Sequence, residues 1–191
     1  MDNTYLKSLK GTSLMKIIPT AITDVFIIEP KVFGDERGFF LETFQEKRYQ
    51  EEAGITHPFV QDNYSRSSAG VLRGLHFQKT KPQGKLVRVV QGEVFDVAVD
   101  IRINSPTYGQ WVGAHLSGDN KHQLWVPPGL AHGFLVLSDT ADFEYKCTDY
   151  YDPSDEGCLL WNDPDIAIQW PTDTPILSEK DRVGKRLSEL T

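Results

Sequence analysis

Residues Glu93-Val94-Phe95-Asp96-Val97-Ala98-Val99-Asp100-Ile101-Arg102 carry the clearest repeat in the chain, with an apolar side chain at every second position. A period of two marks an extended strand, and it sets Phe95, Val97, Val99 and Ile101 on one face. Working outward, residues 71–77 and 85–90 read as strands before it, and residues 109–116, 123–126, 133–137 and 142–151 read as strands after it. Near the N-terminus the β-branched run Val25-Phe26-Ile27-Ile28 reads the same way. Ser117-Gly118-Asp119-Asn120, Pro127-Pro128-Gly129 and Ser138-Asp139-Thr140 supply the turns between them. Helical patterning is confined to residues 45–53, which stop at Gly54 as a helix C-terminus should, and to a second short stretch within residues 178–190. Many short strands at close spacing predict a mainly β fold, an antiparallel sandwich or barrel with one or two short helices.

The whole chain has 191 residues, 39% apolar and 25% charged, with a net charge of −7, which suits one domain with its own core. Residues 1–14 are polar and weakly patterned and read as a flexible extension; Met15-Lys16-Ile17-Ile18 opens the folded body, residues 15–191. Two cysteines, Cys147 and Cys158, make neither a disulfide framework nor a Cys-x-x-Cys pair. No apolar run approaches the roughly 20 residues that span a bilayer, so a cytoplasmic location is expected, with no membrane partner. With 27 acidic side chains against 20 basic ones, a broad nucleic-acid surface is excluded, because such surfaces neutralise many phosphates.

An anionic ligand would need a local basic cluster. Arg37, Arg73 and Lys85, each beside a glycine, supply one: arginine offers a planar fork of donors, and glycine lets a phosphate approach the backbone. A metal-bearing β-barrel of this kind would want a His-x-His pair, yet the matching segment is His76-Phe77-Gln78, and glutamine is a poor ligand. No metal is therefore expected. The spacing in Pro127-Pro128-Gly129-Leu130-Ala131-His132 sets a second histidine at the barrel mouth, where acid–base work or ligand binding is its expected task. His57, His115 and His122 read as surface residues. In residues 143–151, Phe143, Tyr145, Cys147 and Asp149 share a face; if it looks inward, Tyr145 is either a core residue or a proton donor.

Taken together, Gly34-Asp35-Glu36-Arg37-Gly38-Phe39-Phe40, Gln61-Asp62-Asn63, Leu72-Arg73-Gly74-Leu75-His76-Phe77-Gln78, Gln83-Gly84-Lys85, Pro128-Gly129-Leu130-Ala131-His132-Gly133-Phe134, Glu144-Tyr145-Lys146, Leu160-Trp161-Asn162-Asp163-Pro164 and Leu177-Ser178-Glu179-Lys180-Asp181 resemble the dTDP-4-dehydrorhamnose 3,5-epimerase family. The likeness runs in order from about Met15 to about Asp181. It implies a cupin-type jelly roll, a double-stranded antiparallel β-helix, acting as a homodimer without metal or cofactor. It also implies a dTDP-4-dehydro-6-deoxy-D-glucose substrate, epimerised at C3 and C5 towards dTDP-L-rhamnose.

The same resemblance implies the roles of individual residues. His76 is the base, oriented by Asp181; Tyr145 is the proton donor; Lys85 is the cation beside the C4 oxyanion, with Asp96 as its polar neighbour. Arg37, Glu42, Gln61, Asp62, Asn63, Arg73, His132, Glu156 and Lys180 match positions that bind nucleotide and sugar, and Tyr151 matches an aromatic that stacks on thymine. Three readings compete: the double epimerase, a relative that inverts C3 alone, and a cupin that only binds a sugar nucleotide. One tension stands. Arg73 and His76 lie an odd number of residues apart, so a regular strand points them to opposite faces. Either the backbone twists at Gly74, or Arg73 serves another part of the ligand, or one of the two reaches across a subunit boundary.

Overall fold

The computed structural model describes residues 13–190. In chain order the elements are β1 (Met15–Pro19), β2 (Phe26–Pro30), β3 (Val32–Asp35), β4 (Gly38–Leu41), α1 (Glu46–Ala53), β5 (Gln61–Ser68), β6 (Leu72–Gln78), β7 (Lys85–Gln91), β8 (Glu93–Asp100), β9 (Trp111–Ser117), β10 (Gln123–Val126), β11 (Leu130–Val136), β12 (Thr140–Cys147), β13 (Glu156–Cys158) and α2 (Glu179–Arg182), with a 3-10 turn at Leu187–Glu189. One sheet has six strands in the order β1-β2-β10-β7-β12-β5, the other five in the order β13-β6-β11-β8-β9, and β3 and β4 form a separate hairpin. The paired strands within each sheet are antiparallel. From β7 to β12 the chain crosses repeatedly between the sheets, which winds them into the expected jelly roll.

The sheets meet over one core, in which Val87, Val89, Leu124, Val126 and Phe143 of the first pack on Val94, Ala98, Ala114, Leu116, Leu130 and Phe134 of the second. Both outer faces are covered as well. Tyr49 and Ile55, from α1 and the residues after it, pack on Ile28, Leu86 and Trp125, and the Tyr49 hydroxyl donates to Gln123 Oε1 at 2.8 Å. The C-terminal segment lays Leu159, Ile166 and Leu187 over Leu75, Val97 and Val99.

That second cover decides which way the period-two repeat faces. Phe95, Val97, Val99 and Ile101 share a face, as expected, and it is the outer one, under the C-terminal segment; the inter-sheet interior takes Val94 and Ala98. Helix α1 starts one residue later than expected because Gln45 is its cap, accepting the Arg48 N–H at 2.6 Å, and it stops where Gly54 turns left-handed at φ 71°. Residues 178–190 hold only the single turn of α2 and the 3-10 turn. Strand β5 escaped the hydrophobic reading altogether: its inward positions are Gln61, Asn63, Ser65 and Ser67, and its outward ones are exposed. Of the expected extension, residues 1–12 lie outside the described residues; Leu14 is buried, and its carbonyl accepts the Lys31 N–H at 2.7 Å.

Candidate active site

Between the sheets lies a cavity of about 330 Å³, lined among others by Gln61, Asn63, Arg73, His76, Lys85, His132, Tyr145, Tyr151, Glu156 and Lys180. Its walls differ in origin. His76 (β6) and His132 (β11) come from the five-stranded sheet, while Gln61 and Asn63 (β5), Lys85 (β7) and Tyr145 (β12) come from the six-stranded sheet.

Histidine and aspartate meet across the fold. His76 Nε2 lies 2.5 Å from Asp181 Oδ1, although the two are 105 residues apart. Asp181 is buried at the third position of α2, where its Oδ2 accepts the Ser178 hydroxyl at 2.8 Å and its N–H donates to Ser178 Oγ at 3.2 Å. Burial pushes the Asp181 carboxyl up, but His76 and Ser178 outweigh it and hold the group below its usual range. The aspartate is thus an anion that accepts a hydrogen bond from Nε2–H, which leaves Nδ1 with the free lone pair.

The parity conflict between Arg73 and His76 is resolved inside β6. Opposite β11, His76 pairs with His132 and Arg73 with Phe134, so three steps on one strand match two on the other. One extra residue resets the alternation, and both side chains reach the same cavity. Glycine is required there: Gly74 has φ +124°, and a Cβ on it would stand 2.6 Å from Gly133 Cα.

His132 is not at the mouth. It is 6% exposed, because β11 begins earlier than expected, at Leu130, and draws it into the sheet. Its Nε2 lies 2.9 Å from Asp96 Oδ1 and its ring stacks on Phe143. The charge of Asp96 also reaches Lys85. There desolvation lowers the ammonium below the ordinary lysine value, while Cys147, Asp96 and Glu156 oppose that shift. Tyr145 shows the same effect with the opposite consequence for its proton: burial pushes the phenol up to about 12, so it stays protonated at neutral pH.

At the opening, Glu156 accepts Lys180 Nζ at 2.8 Å and the Tyr151 hydroxyl at 3.1 Å. Tyr151 lies beyond the end of β12 and is anchored by its N–H on Gln61 Oε1 at 2.9 Å. The Arg73 guanidinium is braced by Ser67 Oγ at 2.9 Å. Three expected binding residues stand outside the cavity in this single chain. Arg37 sits in the β3–β4 turn against Asp35, Glu42 pairs with Arg48 of α1 at 2.8 Å, and Asp62 points outward from β5 to Lys146 at 3.0 Å. The structure adds Ser65 and Gln83 to the lining, and Ser67 and Ser178 as braces. Of these, Gln83 stood in the Gln83-Gly84-Lys85 segment of the resemblance, and Ser178 had the spacing of a helix cap three residues before Asp181; Ser65 and Ser67 had no readable signal.

Gln78 is occupied elsewhere: its Nε2 donates to the Lys81 and Tyr150 carbonyls at 2.8 and 3.2 Å, and its Oε1 accepts the Asp152 N–H at 2.8 Å. It ties down the loop before β7 and is turned away from ligand duty.

A family model described as dTDP-4-dehydrorhamnose 3,5-epimerase matches residues 19–189. The Pseudomonas aeruginosa protein named dTDP-4-dehydrorhamnose 3,5-epimerase is 57% identical over 92% of this chain and 97% of its own. A Legionella pneumophila 3,5-epimerase, solved in complex with dTDP-4-keto-L-rhamnose, superposes with a TM-score of 0.89 at 61% identity over 92% of this chain and 96% of its own. A Streptomyces niveus protein named dTDP-4-dehydrorhamnose 3-epimerase is more distant, at 40% identity over 92% of this chain and 85% of its own.

Proposed function

The chain belongs to the dTDP-4-dehydrorhamnose 3,5-epimerase family, and on that premise we propose how its cavity carries the reaction. The protein is an isomerase of dTDP-rhamnose biosynthesis, inverting C3 and C5 of dTDP-4-dehydro-6-deoxy-D-glucose to give dTDP-4-dehydro-L-rhamnose. Both protons that move are α to the C4 ketone, so each leaves as the carbonyl becomes an enolate. Inversion then needs a base on one side of the sugar, an acid on the other and a positive partner for the oxygen.

The observation that carries the assignment is the two-walled cavity, with His76 on one sheet and Tyr145 and Lys85 on the other. In our reading His76 takes the proton through Nδ1, and the Asp181 carboxylate stabilises the imidazolium that forms. Lys85 stabilises the enolate oxygen, a task for which no metal is then needed, and Tyr145 returns a proton from the far side. Asp96 fixes His132, which with Gln61 and Asn63 holds the sugar; Arg73 and Lys180 take the diphosphate; Tyr151 stacks on thymine, with Glu156 setting its hydroxyl.

We further propose that the protein works as a cytoplasmic homodimer, in which Arg37, Glu42 and Asp62 serve the site of the second copy. The β3–β4 hairpin supports this, since it joins neither sheet and exposes Phe39 and Phe40 at 60% and 61%. Incubation with the substrate in deuterated water tests the chemistry, with label at both C3 and C5 read by NMR as the expected result. Label at C3 alone would make the protein a single epimerase, and no label with a folded protein would refute the base assignment.

A further inference from the structure

Cys158 has no part in the reaction above, yet it stands beside His76 and Asp181. On β13 it is the direct register partner of His76 on β6, and side chains of directly opposed residues project from the same face of a sheet. Its Sγ lies 4.0 Å from Asp181 Oδ1, the same oxygen that His76 Nε2 approaches at 2.5 Å. One ring nitrogen of His76, the Cys158 sulfur and an Asp181 oxygen all lie within 4.8 Å of one another. Among the described residues this is the one group of nitrogen, sulfur and oxygen donors so arranged.

We propose that His76, Cys158 and Asp181 form a binding site for zinc, and that occupation of the site switches the enzyme off. Ligand atoms on a tetrahedral zinc ion stand about 3–4 Å apart, as follows from bonds of about 2.0 Å to nitrogen and oxygen and about 2.3 Å to sulfur. The present separations bracket that value, so small side-chain rotations accommodate the ion. Three protein ligands and one open position make the donor set of an accessible zinc site, and the thiolate favours zinc over magnesium. Binding releases the thiol proton of Cys158 to solvent and shifts the single proton of the neutral His76 ring from Nε2 to Nδ1. A neutral imidazole that ligates through Nε2 carries its proton on Nδ1, so the nitrogen assigned to the substrate loses its lone pair. Inhibition therefore rests on the role proposed for His76; the binding itself does not.

Two measurements separate those claims. Cobalt titrated into the substrate-free protein is expected to give the near-ultraviolet thiolate-to-metal absorption in the wild type and none in Cys158→Ala. Zinc calorimetry is expected to show one site per chain, weakened at least about tenfold in that variant. In the activity assay, micromolar zinc should inhibit the wild type reversibly, with recovery on chelation, while millimolar magnesium should not. Cys158→Ala and Cys158→Ser should keep the metal-free rate and lose the zinc sensitivity. Cobalt bound without the thiolate band, a band that survives Cys158→Ala, equal inhibition by magnesium, or unchanged zinc inhibition in the variants would each overturn the site. Tight zinc binding without inhibition would retain the site and remove its link to the base.

Discussion

At the residue scale the proposed chemistry rests on two groups whose proton affinities are moved by burial in opposite senses of charge. Tyr145, pushed up to about 12, remains a neutral acid, whereas Lys85 is lowered and gives up its charge more readily than a free lysine. On raising the pH, Lys85 is then the first of the two to lose its proton, at a point below the ordinary value of about 10.4. The alkaline limb of kcat/KM is expected there, and Lys85→Arg, which stays charged past about pH 12, should move the limb upward even at a reduced rate. An unmoved limb would separate the charge of Lys85 from catalysis. The proposed acid and base are distinguishable in the same way. His76→Ala should lower turnover by roughly 10²–10⁴ and abolish deuterium exchange, while Tyr145→Phe should lower turnover comparably and retain exchange from the His76 side. Equal loss of exchange in both would contradict separate roles. None of these residues was assignable from its neighbours: His76 alone reads as an ordinary strand histidine, and its aspartate is 105 residues away.

At the scale of elements, strands were legible wherever a face is apolar and illegible where it is not. Strand β5 turns Gln61, Asn63 and Ser65 into the cavity, and a strand that lines a polar site lacks the alternation that announces strands elsewhere. Strand β8 shows the converse. Its strongest apolar face lies under the C-terminal segment, while its inter-sheet face carries Asp96 towards the site. The same strand ends at Asp100, which is fully buried and accepts hydrogen bonds from Arg102, Ser105 and Thr107, closing the loop to β9. Burial pushes its carboxyl up, but those bonds outweigh it and hold the group well below the ordinary range. Asp100→Ala removes an acceptor shared by Arg102, Ser105 and Thr107, of which Arg102 keeps Asp24, and is expected to cost about 1–3 kcal/mol, measured by urea denaturation. Because the native value is depressed, the difference from wild type should be complete above about pH 4 and shrink as the pH falls through the native value. A difference independent of pH would show that packing, not the carboxylate, closes the loop.

At the scale of the molecule, the proposed dimer has a direct test. Arg37→Ala impairs a hairpin and His76→Ala a cavity, so refolding the two variants together should rebuild one intact site in each mixed dimer. Random pairing then restores about a quarter of the wild-type kcat/KM. If both elements acted within one chain, mixing would restore nothing, and a monomer by light scattering would remove the proposal. The sequence by itself determined the mainly β class, most strands, the helix ending at Gly54 and the family, and through family likeness it named the candidates for base, acid and cation. These are legible because period, turn chemistry and motif order are local properties of the chain. Only the tertiary structure decided which face of β8 looks inward, how an extra residue opposite β11 turns Arg73 and His76 to one side, and why His132 is buried on Asp96. It alone set Cys158 beside His76 and left Arg37, Glu42 and Asp62 outside the cavity. Each of those follows from register between strands distant in sequence or from segments laid over the sheets, and such contacts leave no periodic trace in the residues that make them.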